Sequence, residues 1–182
     1  MFSLRSGVTK KLLSYFFINP DEKLYTNELL RKLKLDKRNL LRKIKELEGE
    51  GLIKSETRGN LKFYSMNKSY PLYNEYRSIV FKTIGIEKRL SEIMGQLPGV
   101  KKAYIYGSYP QGKMDVHSDI DLLVVGSHKI LLLQKKLNAL QKEIDREINA
   151  VNMEEKDFAA RVKGKDPFIR GILERKHIEL AI

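Results

Sequence analysis

Val8, Leu12, Leu13, Phe16 and Phe17 fall on one side of a 3.6-residue period, and Asn19-Pro20-Asp21 ends the helix they predict. Thr26 reads as the N-cap of a second, short helix that carries Glu28, Leu29 and Leu30. Asp36 caps a third, whose apolar stripe is Leu40, Leu41, Ile44 and Leu47, running to about Glu50, with Gly51 as its stop. The pattern then turns extended. Leu52 to Thr57 and Leu61 to Met66 read as two strands, and Arg58-Gly59-Asn60 between them is hairpin chemistry because Gly and Asn accept positive φ.

Pro71 opens a helical pattern that sets Leu72, Tyr76, Ile79, Val80, Thr83 and Ile84 on one side, with a break at Gly85. A helix from Ile86 to about Gln96 follows, carrying Leu90, Ile93 and Met94, and Leu97-Pro98-Gly99 turns the chain. Beyond it, Ala103 to Tyr106 and Ile120 to Val125 read as strands, and His128 to about Glu147 as a helix with Ile130, Leu133, Leu137, Leu140 and Ile144 on its core side. Ile148 to Met153 is a third strand. A helix over Asp157 to Lys163 is anchored by Phe158 and Val162, and Asp166-Pro167 starts a last one with Phe168, Ile169, Ile172 and Leu173. Ile178, Leu180 and Ile182 alternate with polar or small residues and close a sheet edge. The class is α+β: a three-helix and hairpin part over 1–70, connecting helices over 71–96, and a mixed α/β part over 97–182.

Composition narrows the function. The 182 residues contain no cysteine and three histidines, which excludes thiol chemistry and Cys-based zinc sites and leaves oxygen donors for any metal. No apolar run approaches the length of a membrane span, and Met1 to Tyr15 lacks a secretory core and cleavage site, so the chain is read as cytoplasmic with no membrane partner. The net charge of +12 is uneven: residues 1–85 hold 18 Lys and Arg against 9 Asp and Glu, and residues 86–182 hold 17 against 14. The polyanion signal sits in the first half.

Three helices followed by a basic hairpin resemble the winged helix-turn-helix domains of small prokaryotic regulators. The resemblance implies double-stranded DNA as a partner, with the third helix in the major groove. Lys37, Arg38, Asn39, Arg42, Lys43 and Lys45 would then point outward, the arginines and Asn39 toward base edges and the lysines toward phosphates. Arg58 and Lys62 on the hairpin would touch the neighbouring backbone. A plain solvated basic face or a dimerisation module explains the same charges. Tyr64, Tyr70, Tyr73 and Tyr76 read as core or dimer packing rather than base stacking, and the helices flanking such domains imply a homodimer.

The second half places Asp119 and Asp121 in a segment that otherwise reads as a buried strand. Side chains at i and i+2 share one face, so the two carboxylates repel unless a cation holds them. Two carboxylates at this spacing suit Mg2+, which takes its remaining ligands from water and substrate phosphates. Upstream, the strand at Tyr104 to Tyr106 runs into Gly107-Ser108, where a glycine allows close approach of a phosphate and a hydroxyl can meet its oxygens.

Gly107-Ser108, a spacer, then Ser118-Asp119-Ile120-Asp121 resembles the signature of the polymerase-beta-like nucleotidyltransferases, in their minimal form. That resemblance covers about Ile86 to Ile182 and implies a nucleoside triphosphate held at Gly107, Ser108 and Ser118, and Mg2+ on Asp119 and Asp121. It also implies a third carboxylate on a later strand, where this chain has Asn149, an amide. Glu147, Asp115 and His117 are the alternative proton acceptors. The loop arginine many relatives carry is Gln111 here. His128 and His177 read as surface or sheet-edge residues. Two functions are expected: a DNA-binding regulator whose second half binds nucleotide and Mg2+, or an active nucleotidyltransferase modifying a hydroxyl of a protein, RNA or small molecule. The resemblance also implies a helical protein partner.

Overall fold

The computed structural model describes residues 5–114 and 118–182, which fall into two units, Met1–Ile86 and Glu87–Ile182. Asp115 and His117 lie outside the described residues.

In the first unit, Ser6 caps helix α1 (Gly7–Ile18) by accepting the Thr9 N–H at 3.4 Å. Leu12, Leu13, Phe16 and Phe17 are fully buried, and the Asn19 side chain closes the helix on the Tyr15 carbonyl. A two-residue strand, β1 (Leu24–Tyr25), leads into α2 (Thr26–Leu33). The residue before this helix is Tyr25 rather than Thr26, and its N–H donates to the Glu28 carboxylate at 3.1 Å. Asp36 caps α3 (Lys37–Gly49), its carboxylate accepting the Asn39 N–H at 3.0 Å. Leu40, Ile44 and Leu47 are buried, but Leu41 is 38% exposed, one step around the helix from the stripe assigned to it.

The hairpin forms from β2 (Ile53–Arg58) and β3 (Leu61–Met66), with Gly59 at φ 56° in the turn. It gains a third member, β1, so the sheet order is β1-β3-β2 with Leu24 opposite Tyr64. In α4 (Tyr73–Thr83), Tyr76, Val80 and Phe81 are buried, while Leu72, Ile79 and Thr83, assigned to the apolar side by their spacing, face solvent. The tyrosines pack within this unit: Phe17 meets Tyr73 at 5.5 Å between ring centroids, and Tyr70 meets Tyr76 at 5.9 Å. Gly85 breaks the chain direction where a Cβ would lie 2.9 Å from the Phe81 Cα.

The second unit is built on a four-stranded sheet. After α5 (Ile86–Gly95) come β4 (Val100–Tyr106), the short α6 (Ser108–Gln111), β5 (Ile120–Gly126), α7 (Ile130–Ile144), β6 (Ile148–Met153), α8 (Glu155–Lys163), α9 (Pro167–Leu173) and β7 (Ile178–Glu179). The strand order is β6-β5-β4-β7. β4 is antiparallel to β5 and to β7, whereas β5 and β6 run parallel, joined through α7, the kind of crossover a parallel pair requires. One face of the sheet contributes Tyr104, Leu123, Val125 and Met153 to a core closed by Phe158, Ile169 and Ile172 from α8 and α9. α7 starts at Ile130, two residues later than expected, and Ile130 itself is 52% exposed; Leu133, Leu137, Leu140 and Ile144 take the core side. His128 is buried rather than on the surface, its Nε2 sharing a hydrogen bond with the Asn152 Oδ1 at 2.8 Å. Val162, expected to anchor α8, is 43% exposed. Among the described residues no helix is long and apolar enough to cross a membrane.

Asp166 fixes the start of α9 by accepting the N–H groups of both Phe168 and Ile169, with Pro167 in the first turn. Asp166→Ala is expected to cost about 0.5–2 kcal/mol of stability, read as a lower denaturant midpoint of the second unit's unfolding.

Candidate active site

The register of the second sheet decides which polar side chains meet. Tyr106 on β4 lies opposite Asp121 on β5, and Asp121 lies beside Asn149 on β6, so three strands bring one residue each to the same end of the sheet. Asp119, two residues before Asp121, shares its face by the strand alternation. The Asn149 Nδ2–H donates to the Asp119 Oδ2 at 3.0 Å, which ties that carboxylate to the same spot. Partial burial pushes the Asp121 carboxyl above the usual carboxylate range, and the Asp119 charge pushes it further. Burial, and then the charge of Asp121, also push the Tyr106 phenol up.

Gly107 is fitted to this carboxylate. Its backbone sits at φ 77°, ψ −143°, and a Cβ there would fall 2.1 Å from the Asp121 Oδ2. Only glycine allows the turn to lie against the acid. Ser108 follows directly as the first residue of α6, and its carbonyl accepts the Lys113 N–H at 3.1 Å. Ser118, half-buried, is held from behind: its carbonyl accepts from the Arg146 Nη1 at 3.0 Å. Arg146 is only 7% exposed, an unusual place for a guanidinium, and its role in fixing the approach to Asp119 has no signature in the sequence beyond one arginine at a helix-to-strand junction.

The donor set fits a hard divalent cation. Two carboxylates crowd one another at the edge of a core, with a glycine cradle beside them, and among the described residues no group of three or more His, Cys, Asp or Glu offers a closed cage. Such a site leaves positions for water and phosphate oxygens, as Mg2+ prefers. Glu147 is exposed just before β6, its carbonyl accepting the Ile120 N–H at 3.0 Å. His177 is half-buried, its ring edge-on to Tyr104 at 5.7 Å between centroids.

The basic residues singled out in the first half all belong to the other unit. On α3, Lys37, Arg38, Asn39, Arg42 and Lys45 are exposed. Lys43 is half-buried and bound to Glu46 at 2.6 Å. On the hairpin, Arg58 pairs with Glu56 at 2.5 Å and Lys62 with Glu48 at 3.0 Å, so these two cations are already met by carboxylates.

The nucleotidyltransferase domain family model matches residues 87–178. No curated protein matches the chain. Among solved structures, a toxin-antitoxin with AMP-PNP is 23% identical, with 36% of this chain and 56% of that one aligned at a TM-score of 0.32. A mutant of the toxin-antitoxin MntA-HpeT is 18% identical over 52% of this chain and 71% of the other, TM-score 0.37. A putative nucleotidyltransferase from Sulfolobus solfataricus is 15% identical over 51% and 73%, TM-score 0.30. The chain thus spans little more than half of the first of these.

The crowding at Asp121 has a pH signature. A carboxyl raised in the folded state favours folding below the unfolded carboxylate value of about 3.9, and that contribution is lost as pH rises through the raised value. Without added metal, Asp121→Asn is therefore expected to raise Tm at pH 7, by a margin that shrinks toward zero near pH 3. A thermal unfolding series across that range checks it, and a lower Tm at pH 7 would contradict it.

Proposed function

The chain belongs to the nucleotidyltransferase domain family through residues 87–178, and from that premise we propose that it transfers a nucleoside monophosphate from a nucleoside triphosphate to an acceptor hydroxyl. The observation that carries this reading is the packing of Gly107 against Asp121, with Asp119 on the same face. It brings the Gly-Ser turn against the two acids.

In the proposed reaction the acceptor oxygen attacks the α-phosphorus in line, the bond from that phosphorus to the β-phosphate bridging oxygen breaks, and pyrophosphate leaves. Asp119 and Asp121 would hold Mg2+, whose charge would offset that of the phosphates. Gly107 lets the triphosphate come close to the acids, and the Ser108 hydroxyl donates to its oxygens. Arg146, through the Ser118 carbonyl, keeps the chain entering β5 in place so that Asp119 does not swing away. Asn149 orients Asp119 by its 3.0 Å hydrogen bond but takes no proton, so the acceptor's proton passes to water. The reaction is accordingly slower than one served by a third carboxylate, where general-base help is worth roughly 10²–10⁴-fold.

A second reading concerns the first unit. Its three helices and small sheet are compatible with a winged helix, and on α3 Lys37, Arg38, Arg42 and Lys45 are exposed cations with no carboxylate bound to them among the described residues. That row favours a duplex DNA partner over a neutralised surface, and leaves Lys43, Arg58 and Lys62 with lesser parts.

Incubation of the protein with each labelled nucleoside triphosphate and Mg2+ in cell extract is expected to label an acceptor, and Asp119→Asn to lower that transfer at least 100-fold. Transfer unaffected by Asp119→Asn would overturn the assignment. For the first unit, Arg38→Ala and Arg42→Ala are each expected to weaken duplex binding by about 1–3 kcal/mol in a gel shift. Unchanged mobility would remove the DNA reading and leave the transferase one standing.

A further inference from the structure

A cavity of about 290 Å³ opens beside the Gly107 turn, on the side of the site away from Asn149. Its walls are largely aromatic and aliphatic: Tyr106 and Phe168 meet edge to face at 5.8 Å between centroids, and Gly107, which lies against Asp121, and Gln111 also line it. Arg175 and Lys176 also line it, with no carboxylate among the described lining residues. Neither cation is engaged by an acid among the described residues, in contrast to Arg170 one turn earlier, which pairs with Glu174 at 3.4 Å.

The segment bearing these cations is fixed at both ends. α9 is capped by Asp166 and buried through Ile169 and Ile172, and β7 pairs with β4 at Tyr104 and Ile105. His177 Nδ1 also lies 2.9 Å from the Arg175 carbonyl oxygen. Two cations on a braced backbone, at a cleft with apolar walls, concentrate positive potential there. Gln111, the last residue of α6, is neutral, so among the described lining residues the charge comes from Arg175 and Lys176.

We propose that Arg175 and Lys176 bind the terminal phosphates of the nucleoside triphosphate, and hold the pyrophosphate end while the α-phosphate lies at Asp119 and Asp121. This rests on the nucleotidyl-transfer reading.

The test uses the full chain and base-free probes. Calorimetric titration with inorganic tripolyphosphate in the presence of Mg2+ is expected to show binding, and the double variant Arg175→Ala/Lys176→Ala to weaken it by at least tenfold. A control that removes the same charge from α8, Lys156→Ala/Lys163→Ala, is expected to leave it within twofold. Equal losses in the two double variants, no loss in the first, or no binding by the unaltered protein would overturn the proposal. Matching Tm values for the variants show that folding is intact. If tripolyphosphate binding depends on Arg175 and Lys176 but no acceptor is ever labelled, the phosphate site stands and the transfer reading falls. If labelling depends on Asp119 while tripolyphosphate binding ignores both cations, the reverse holds.

Discussion

Electrostatic crowding at the start of β5 is the constraint around which the second unit is organised. Two acids on one face, one of them partly buried, raise the free energy of the folded protein at neutral pH. The surrounding residues are arranged to tolerate this rather than remove it. Gly107 gives up a side chain so that the turn can lie against Asp121, Asn149 donates a neutral hydrogen bond to Asp119, and Arg146 anchors the carbonyl just upstream. A hydrophobic pair at these positions would have been easier to fold.

Much of this was legible in the sequence where a local rule applies alone. The helices of the first unit, the hairpin, the Asp166-Pro167 start and the strand β5, which carries Asp121 and begins just after Asp119, follow from periodicity and caps, because those signals are contained in a few neighbouring residues. The resemblance put Asn149 on a later strand near the acids, and β6 does lie beside β5 with Asn149 next to Asp121. What escaped depended on tertiary placement. β1 is two residues long and exists only because β3 lies next to it. Leu41, Leu72 and Ile79 are apolar and correctly spaced, yet the partner surfaces stop short of them. His128 is polar and follows a strand, which reads as a surface, but Asn152 on β6 gives it a partner inside. Arg146 and the cavity at Arg175 and Lys176 could not be read, because each joins residues far apart in the chain.

The amide at 149 separates orientation from proton transfer. A carboxylate there could accept a proton but, once ionised, would repel Asp119, whereas the amide donates to Asp119 and takes no proton. In the proposed reaction this would make the acceptor, in particular how readily its hydroxyl ionises, matter more than in a site with three acids.

The strand order β6-β5-β4-β7 also has a directional meaning. In-line displacement requires the incoming oxygen and the departing group to occupy opposite flanks of the phosphorus. If the leaving end is held at Arg175 and Lys176 as proposed, the nucleophile would arrive from the β6 side, where Asn149 and Val151 are open to solvent. On that reading the acceptor and the pyrophosphate would use opposite margins of the sheet.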